Sequence, residues 1–114
     1  MIVPGELDIT IYQGATWDMP CTWTVDGLVV DLTGMTVRMQ VRPEASSGVI
    51  EVALTTENGC IAVDNSGSIT LSLTATQTAA LSAGRYVYDL EVVNLLTVTR
   101  VLQGKCYISA EVTR

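Results

Sequence analysis

Asp89 and Glu91, two residues apart, are the carboxylates whose spacing comes nearest to a shared acid–base task. A glycosidase would need one of them in an apolar pocket with a raised pKa and its partner across a groove. The period-two pattern around them instead puts both on the outward phase of a strand, where solvated or salt-bridged carboxylates are expected. The chain has no histidine and no Gly-x-Ser-x-Gly, so the usual base for a Ser or Cys nucleophile is missing. Cys21, Cys60 and Cys106 share no metal-like spacing, and a zinc site would need all three plus a carboxylate. Cys21 and Cys106 fall on apolar phases of expected strands and read as buried free thiols. The turn Asp64-Asn65-Ser66-Gly67 and the loop Glu57-Asn58-Gly59 lack the Asp-x-Asp-x-Asp-Gly spacing of a preformed calcium loop, so they read as turns. No enzyme activity, cofactor, metal or small-molecule substrate is expected.

Charge narrows the partners. Twelve acidic and six basic residues give a net charge of −6, which repels phosphate backbones and argues against nucleic acid. The imbalance is local as well: Glu6, Asp8, Asp18, Asp26 and Asp31 all precede the first basic residue, Arg38. No leader opens the chain and nothing approaches a membrane span, so no membrane partner is expected. The chain is expected to be made and kept in a reducing cytoplasm until it assembles. With 48% hydrophobic residues, nine glycines and little Lys, the composition is that of an all-β domain.

The elements that must position these residues follow from alternation. Leu7, Ile9 and Ile11 share one face of a first strand. Trp17, Met19, Cys21, Trp23 and Val25 alternate with Asp18, Pro20, Thr22, Thr24 and Asp26, which places both tryptophans in the core; Pro20 marks an edge or a bulge. Asp26-Gly27 signals a tight hairpin turn into a short return strand, 28–30. Strands are expected at 35–42, 49–54, 60–64 and 68–73. Thr74-Ala75-Thr76-Gln77 has the form of a capping box for a helical turn over 75–81. Then comes the stretch around which the rest is arranged: Tyr86, Tyr88, Leu90 and Val92 on one face, with Gly84 just before. Arg38 and Arg42 are expected opposite Asp89 and Glu91 across neighbouring strands. After a turn at 94–97 a last strand runs over 98–112, interrupted near Gly104. Eight or nine short strands, one helical turn and no βαβ pattern indicate an antiparallel two-sheet sandwich. Residues 1–6 form an arm and 7–114 a single domain.

The Gly84-x-Tyr86 entry resembles the tyrosine corner of immunoglobulin-like sandwiches, whose phenol bonds back to nearby backbone. Longer blocks carry a second resemblance. They are Ile11-Tyr12-Gln13-Gly14-Ala15-Thr16-Trp17, the run from Val30 to Arg42, the run from Leu71 to Leu81, Gly84-Arg85-Tyr86-Val87-Tyr88-Asp89-Leu90-Glu91 and the terminal Glu111-Val112-Thr113-Arg114. Together they resemble small structural proteins of tailed bacteriophages and prophages, and are similar to the amino-terminal attachment domain of phage baseplate upper proteins. That resemblance implies an immunoglobulin-like fold and a place in the virion, docked to other virion proteins and to copies of itself. The chain departs from the baseplate pattern in ending after the sandwich, which leaves docking, adaptor or decoration roles in head, neck, tail or baseplate. Interface candidates are Met1, Ile2, Val3 and Pro4 in the arm, Pro43, Ser46, Ser47 and Gly48 in a small polar loop, and Glu111, Val112, Thr113 and Arg114. Trp17, Trp23, Gly84, Tyr86 and Tyr88 define the fold. The alternative is a free carbohydrate- or ligand-binding module that stacks its ligand on Trp17, Trp23 or a tyrosine.

Overall fold

The cleanest alternations become the longest strands in the computed structural model, which describes residues 4–113. In chain order these are β1 (Gly5–Glu6), β2 (Ile9–Tyr12), β3 (Trp17–Thr22), β4 (Thr24–Val25), β5 (Leu28–Val29), β6 (Thr36–Arg42), β7 (Val52–Thr55), β8 (Ile61–Val63) and β9 (Ser68–Leu73). A short helix α1 (Ala75–Ala79) follows, then β10 (Gly84–Asn94) and β11 (Thr97–Ser109). The larger sheet has the order β1-β11-β10-β6-β7, with β2 also lying on β11; the smaller is β3-β9-β8, and β4 pairs with β5 in a two-stranded hairpin. Neighbours are antiparallel except that β1 and β2 run parallel to β11. This is the strand order of an immunoglobulin-like sandwich: β11-β10-β6-β7 form one face, β3-β9-β8 the other, and the split first strand joins the last.

The core lies between the sheets. Val37, Met39 and Val41 of β6 and Tyr88, Leu90 and Val92 of β10 meet Ile69, Leu71 and Leu73 of β9, with Trp17, Leu32 and Ile61. Each large side chain fully buried here contributes roughly 1.5–3 kcal/mol. The sulfurs behave as small hydrophobes. All three cysteines are free; Cys60 and Cys106 are buried and Cys21 is half-buried. Burial pushes the Cys106 thiol up to about 12.

Several boundaries differ from the sequence reading. The tryptophan strand stops at Thr22, and Trp23 is half-buried instead of fully enclosed. Among the described residues β3 is an edge strand with β9 as its sole partner, so its end has few neighbours; Met19 and Cys21 are half-buried for the same reason, and Pro20 sits where an edge tolerates it. Trp23 instead joins two loops, its N–H donating to Gly67 O at 2.8 Å and its carbonyl accepting from Val30 N–H at 3.2 Å. The strand expected from 49 begins at Val52, and Val49 and Ile50 are exposed. The arm's last residues, Gly5 and Glu6, are built into the large sheet, because β11 has a free edge that accepts them.

β11 ends at Ser109, three residues before the expected 112, because the Glu111 N–H leaves the ladder to donate to Gln13 Oε1 at 3.0 Å. The ladder irregularity falls at Val101, skipped between the Leu90–Leu102 and Glu91–Arg100 pairs. Gly104 has a different task. The chain passes from β1 to β2 directly over it, and a Cβ there would lie 2.1 Å from Leu7 O. Tyr88 fixes the same crossing, its hydroxyl donating to Leu7 O at 2.5 Å.

Candidate functional site

Outward-pointing residues of β6, β10 and β11 line a groove of about 790 Å³ on the open face of the large sheet. Its floor is central β10, with Val87, Asp89 and Glu91. Gln40 and Arg42 rise from β6 on one side, Arg100, Gln103 and Lys105 from β11 on the other. One rim is the loop at Ala45, Ser46 and Ser47; the other carries Glu6 and Asp8.

The expected strand pairing holds, and with it one of the expected ion pairs. Arg38 stands opposite Glu91 and its Nε lies 2.9 Å from Glu91 Oε1. Arg42 does not face a carboxylate. It lies opposite Val87, donates to Gln40 Oε1 at 2.7 Å and to Ser47 O at 2.6 Å, and so pins the 43–48 loop. Asp89 takes its cation from the other neighbour, Arg100 Nε at 3.5 Å, which the bulge at Val101 brings into place. Each exposed pair adds at most about 1 kcal/mol. Burial between flanking side chains pushes the Asp89 carboxyl up, against the pull of Arg100. That is the direction a general acid needs. However, the second carboxylate, Glu91, is held by Arg38, and Glu6 accepts from Gln103 Nε2 at 2.8 Å. Among the described residues, no group of three or more Cys, Asp or Glu is arranged to hold a metal.

The fold separates the sequence-derived interface candidates. Met1, Ile2, Val3 and Arg114 lie outside the described residues. Pro4 leads into β1 and is half-buried; Pro43, Ser46 and Gly48 are exposed, with Ser46 and Ser47 on the groove rim that faces Glu6. Glu111 is half-buried at the far end of the sandwich, followed by exposed Val112 and Thr113. Trp17 is buried and Trp23 half-buried, and neither lines the groove. Gly84 opens β10, and the Tyr86 hydroxyl donates to Ser82 O at 2.8 Å, closing the expected tyrosine corner.

A second surface was not legible as a site. The end of the sandwich where β10 meets β11 carries Leu95 and Leu96 at 92% and 100% exposure, and Leu28 at 73%. The missed signal is a two-residue hairpin loop, bounded by the Asn94–Thr97 pair, that contains no Gly, Asn or Asp.

No family model matches the chain, and no curated relative matches it. Among solved structures, a chain from work on multimeric cell-adhesive interactions of VGSC beta subunits is similar, with a TM-score of 0.48 and 14% identity over 99% of this chain and 98% of that one.

Proposed function

We infer that this chain is a non-enzymatic structural protein of a bacteriophage particle. It would serve as a docking or adaptor piece of the neck, tail or baseplate, or decorate the head, held by other virion proteins and by further copies of itself. The observation that carries the non-catalytic reading is the state of the groove. Its two central carboxylates are each tied to an arginine of a neighbouring strand, and Arg42 is tied to the loop that forms the rim. Such a face presents fixed charge for recognition and leaves no paired acid and base free for chemistry. The sequence blocks that resemble phage structural proteins supply the virion assignment, and they span both sheets.

The test is direct. Particles induced from the source and purified on a density gradient are digested and quantified by mass spectrometry, and the chain is expected in many copies per particle. Particles that lack the chain refute the reading. Within particles, Lys105→Glu and Arg100→Glu on the groove should lower incorporation. Unchanged incorporation of both variants would remove the groove from the interface.

A further inference from the structure

Two hairpins at one end of the sandwich have turns of equal length and opposite chemistry. β4 and β5 are joined by Asp26-Gly27 with φ of 53° and 79°, the residues that such a turn favours. β10 and β11 are joined by Leu95-Leu96, with Leu95 at φ 55°. In a two-residue turn with positive φ at its first position, that place usually belongs to Gly, Asn or Asp. Leu95 therefore opposes its own turn, and neither leucine contributes to the core, since both are almost wholly exposed.

The surroundings belong to the same surface. Val93 pairs with Thr36 at the start of β6, the Leu32 N–H donates to Asp64 O at 3.1 Å, and Val30 reaches Trp23. These links bring the 26–27 turn, the 64–67 turn and the leucine tip to one end. Leu28, Val29 and Val98 are exposed there too. Residues 22–35, 64–67 and 92–99 contain no Lys or Arg, while Asp26, Asp31 and Asp64 are exposed among them. The end is thus an apolar tip with an edge of carboxylates.

We propose that this end is a docking surface for a different protein, one that offers an apolar pocket edged by Lys and Arg. The charge selects the occupant. A second copy docked end to end would set three carboxylates against three. An anionic bilayer would repel them, and insertion of the leucines into any bilayer would draw the aspartates towards hydrocarbon. A protein pocket accepts the leucines as central anchors, and its basic rim matches the aspartates. The surface does not depend on the chain residing in a virion.

The experiment places a photoreactive side chain at position 96, in the chain expressed from its own gene in its source cell. Crosslinked peptides are mapped by mass spectrometry, with position 76, exposed on α1 at the opposite end, as a control. The expected result is a crosslink to another polypeptide, at apolar residues flanked by Lys or Arg. With the label moved to position 28, Leu96→Asp should lower the yield about tenfold, and the triple change of Asp26, Asp31 and Asp64 to Asn should lower it several-fold. Thermal unfolding confirms that the variants are folded; since position 96 touches nothing, its midpoint should hold. Crosslinks to another copy of this chain, to lipid, or at no more than the control level overturn the proposal, as does a yield indifferent to Leu96→Asp. None of these outcomes depends on whether purified particles contain the chain, so failure here is separable from failure of the virion reading.

Discussion

Where β10 begins, side chains reach from one loop to the backbone of another. Gln13 Nε2 donates to Leu81 O at 2.7 Å while its Oε1 accepts from the Glu111 N–H; Thr78 Oγ1 donates to Ala15 O at 2.9 Å; Glu51 Oε1 accepts from Ser82 N–H at 2.6 Å; and Tyr86 closes on Ser82. Where β10 stops, the Asp31 and Asp64 side chains bond within their own turns, to Thr33 and to Ser66 and Ser68; Thr56 Oγ1 accepts from the Val37 N–H at 3.4 Å, and the 23–30 and 64–67 loops meet through backbone. One end uses its polar side chains to join loops into a lid over the core. The other leaves apolar side chains pointing at solvent, which in a monomer contribute nothing to stability. The difference separates residues that hold the fold from residues available to a partner.

The comparison breaks first at Leu81, which is buried just after α1 at the closed end. Leu81→Ala should cost about 2–4 kcal/mol in urea unfolding, whereas Leu28→Ala at the open end should cost less than about 0.5 kcal/mol. Equal costs would mean that the two ends are not distinct. Gln13→Ala comes next. It strips partners from the Leu81 carbonyl and the Glu111 amide together, for about 1–2 kcal/mol. Hydrogen exchange at the Glu111 amide should rise, and unchanged protection would show that the clamp is not formed in solution. Tyr86→Phe removes only the phenol bond to Ser82, and the expected loss is about 1 kcal/mol by the same unfolding measurement.

How much of this could be read beforehand depends on how local the cause is. The capping box at Thr74 and Gln77 forms as written, with both reciprocal bonds present, because its determinants lie within four residues. Asp26-Gly27 and the Gly84–Tyr86 corner are local in the same sense. The Arg38–Glu91 pair required only the right neighbour for β10, which the sandwich topology supplies. Trp23 misled because alternation reports which side a residue faces and not how many strands lie beside it; β3 has one neighbour, so its inward face is only partly covered. Arg42 misses a carboxylate because the β6–β10 register sets it opposite Val87, and Asp89 finds Arg100 through a bulge at Val101, where no residue type announces an extra position. The groove draws on four separate segments, 6–8, 40–47, 87–91 and 100–105, so its shape is set by assembly of the sheet. The leucine tip was visible only as turn chemistry that fails to match its turn.

The smallest expected effect on stability lies at that tip, and its sign sharpens the contrast most. Leu95 holds a φ of 55° in a turn that glycine enters without steric cost. Relieving a side chain from the left-handed region is worth about 1 kcal/mol, offset in part by the freedom that glycine adds to the unfolded chain. Leu95→Gly should therefore raise stability by a few tenths to about 1 kcal/mol. Leu96→Ser, at a side chain that touches nothing, should change it by less than about 0.5 kcal/mol. Both variants would keep the sandwich and yet lose docking, the reverse of any variant at the closed end. Thermal unfolding alongside the crosslinking assay reads both quantities on the same protein. If Leu95→Gly destabilised the chain by more than about 1 kcal/mol, the leucine would be packing against something in the folded monomer, and the tip would belong to the fold instead of to a partner.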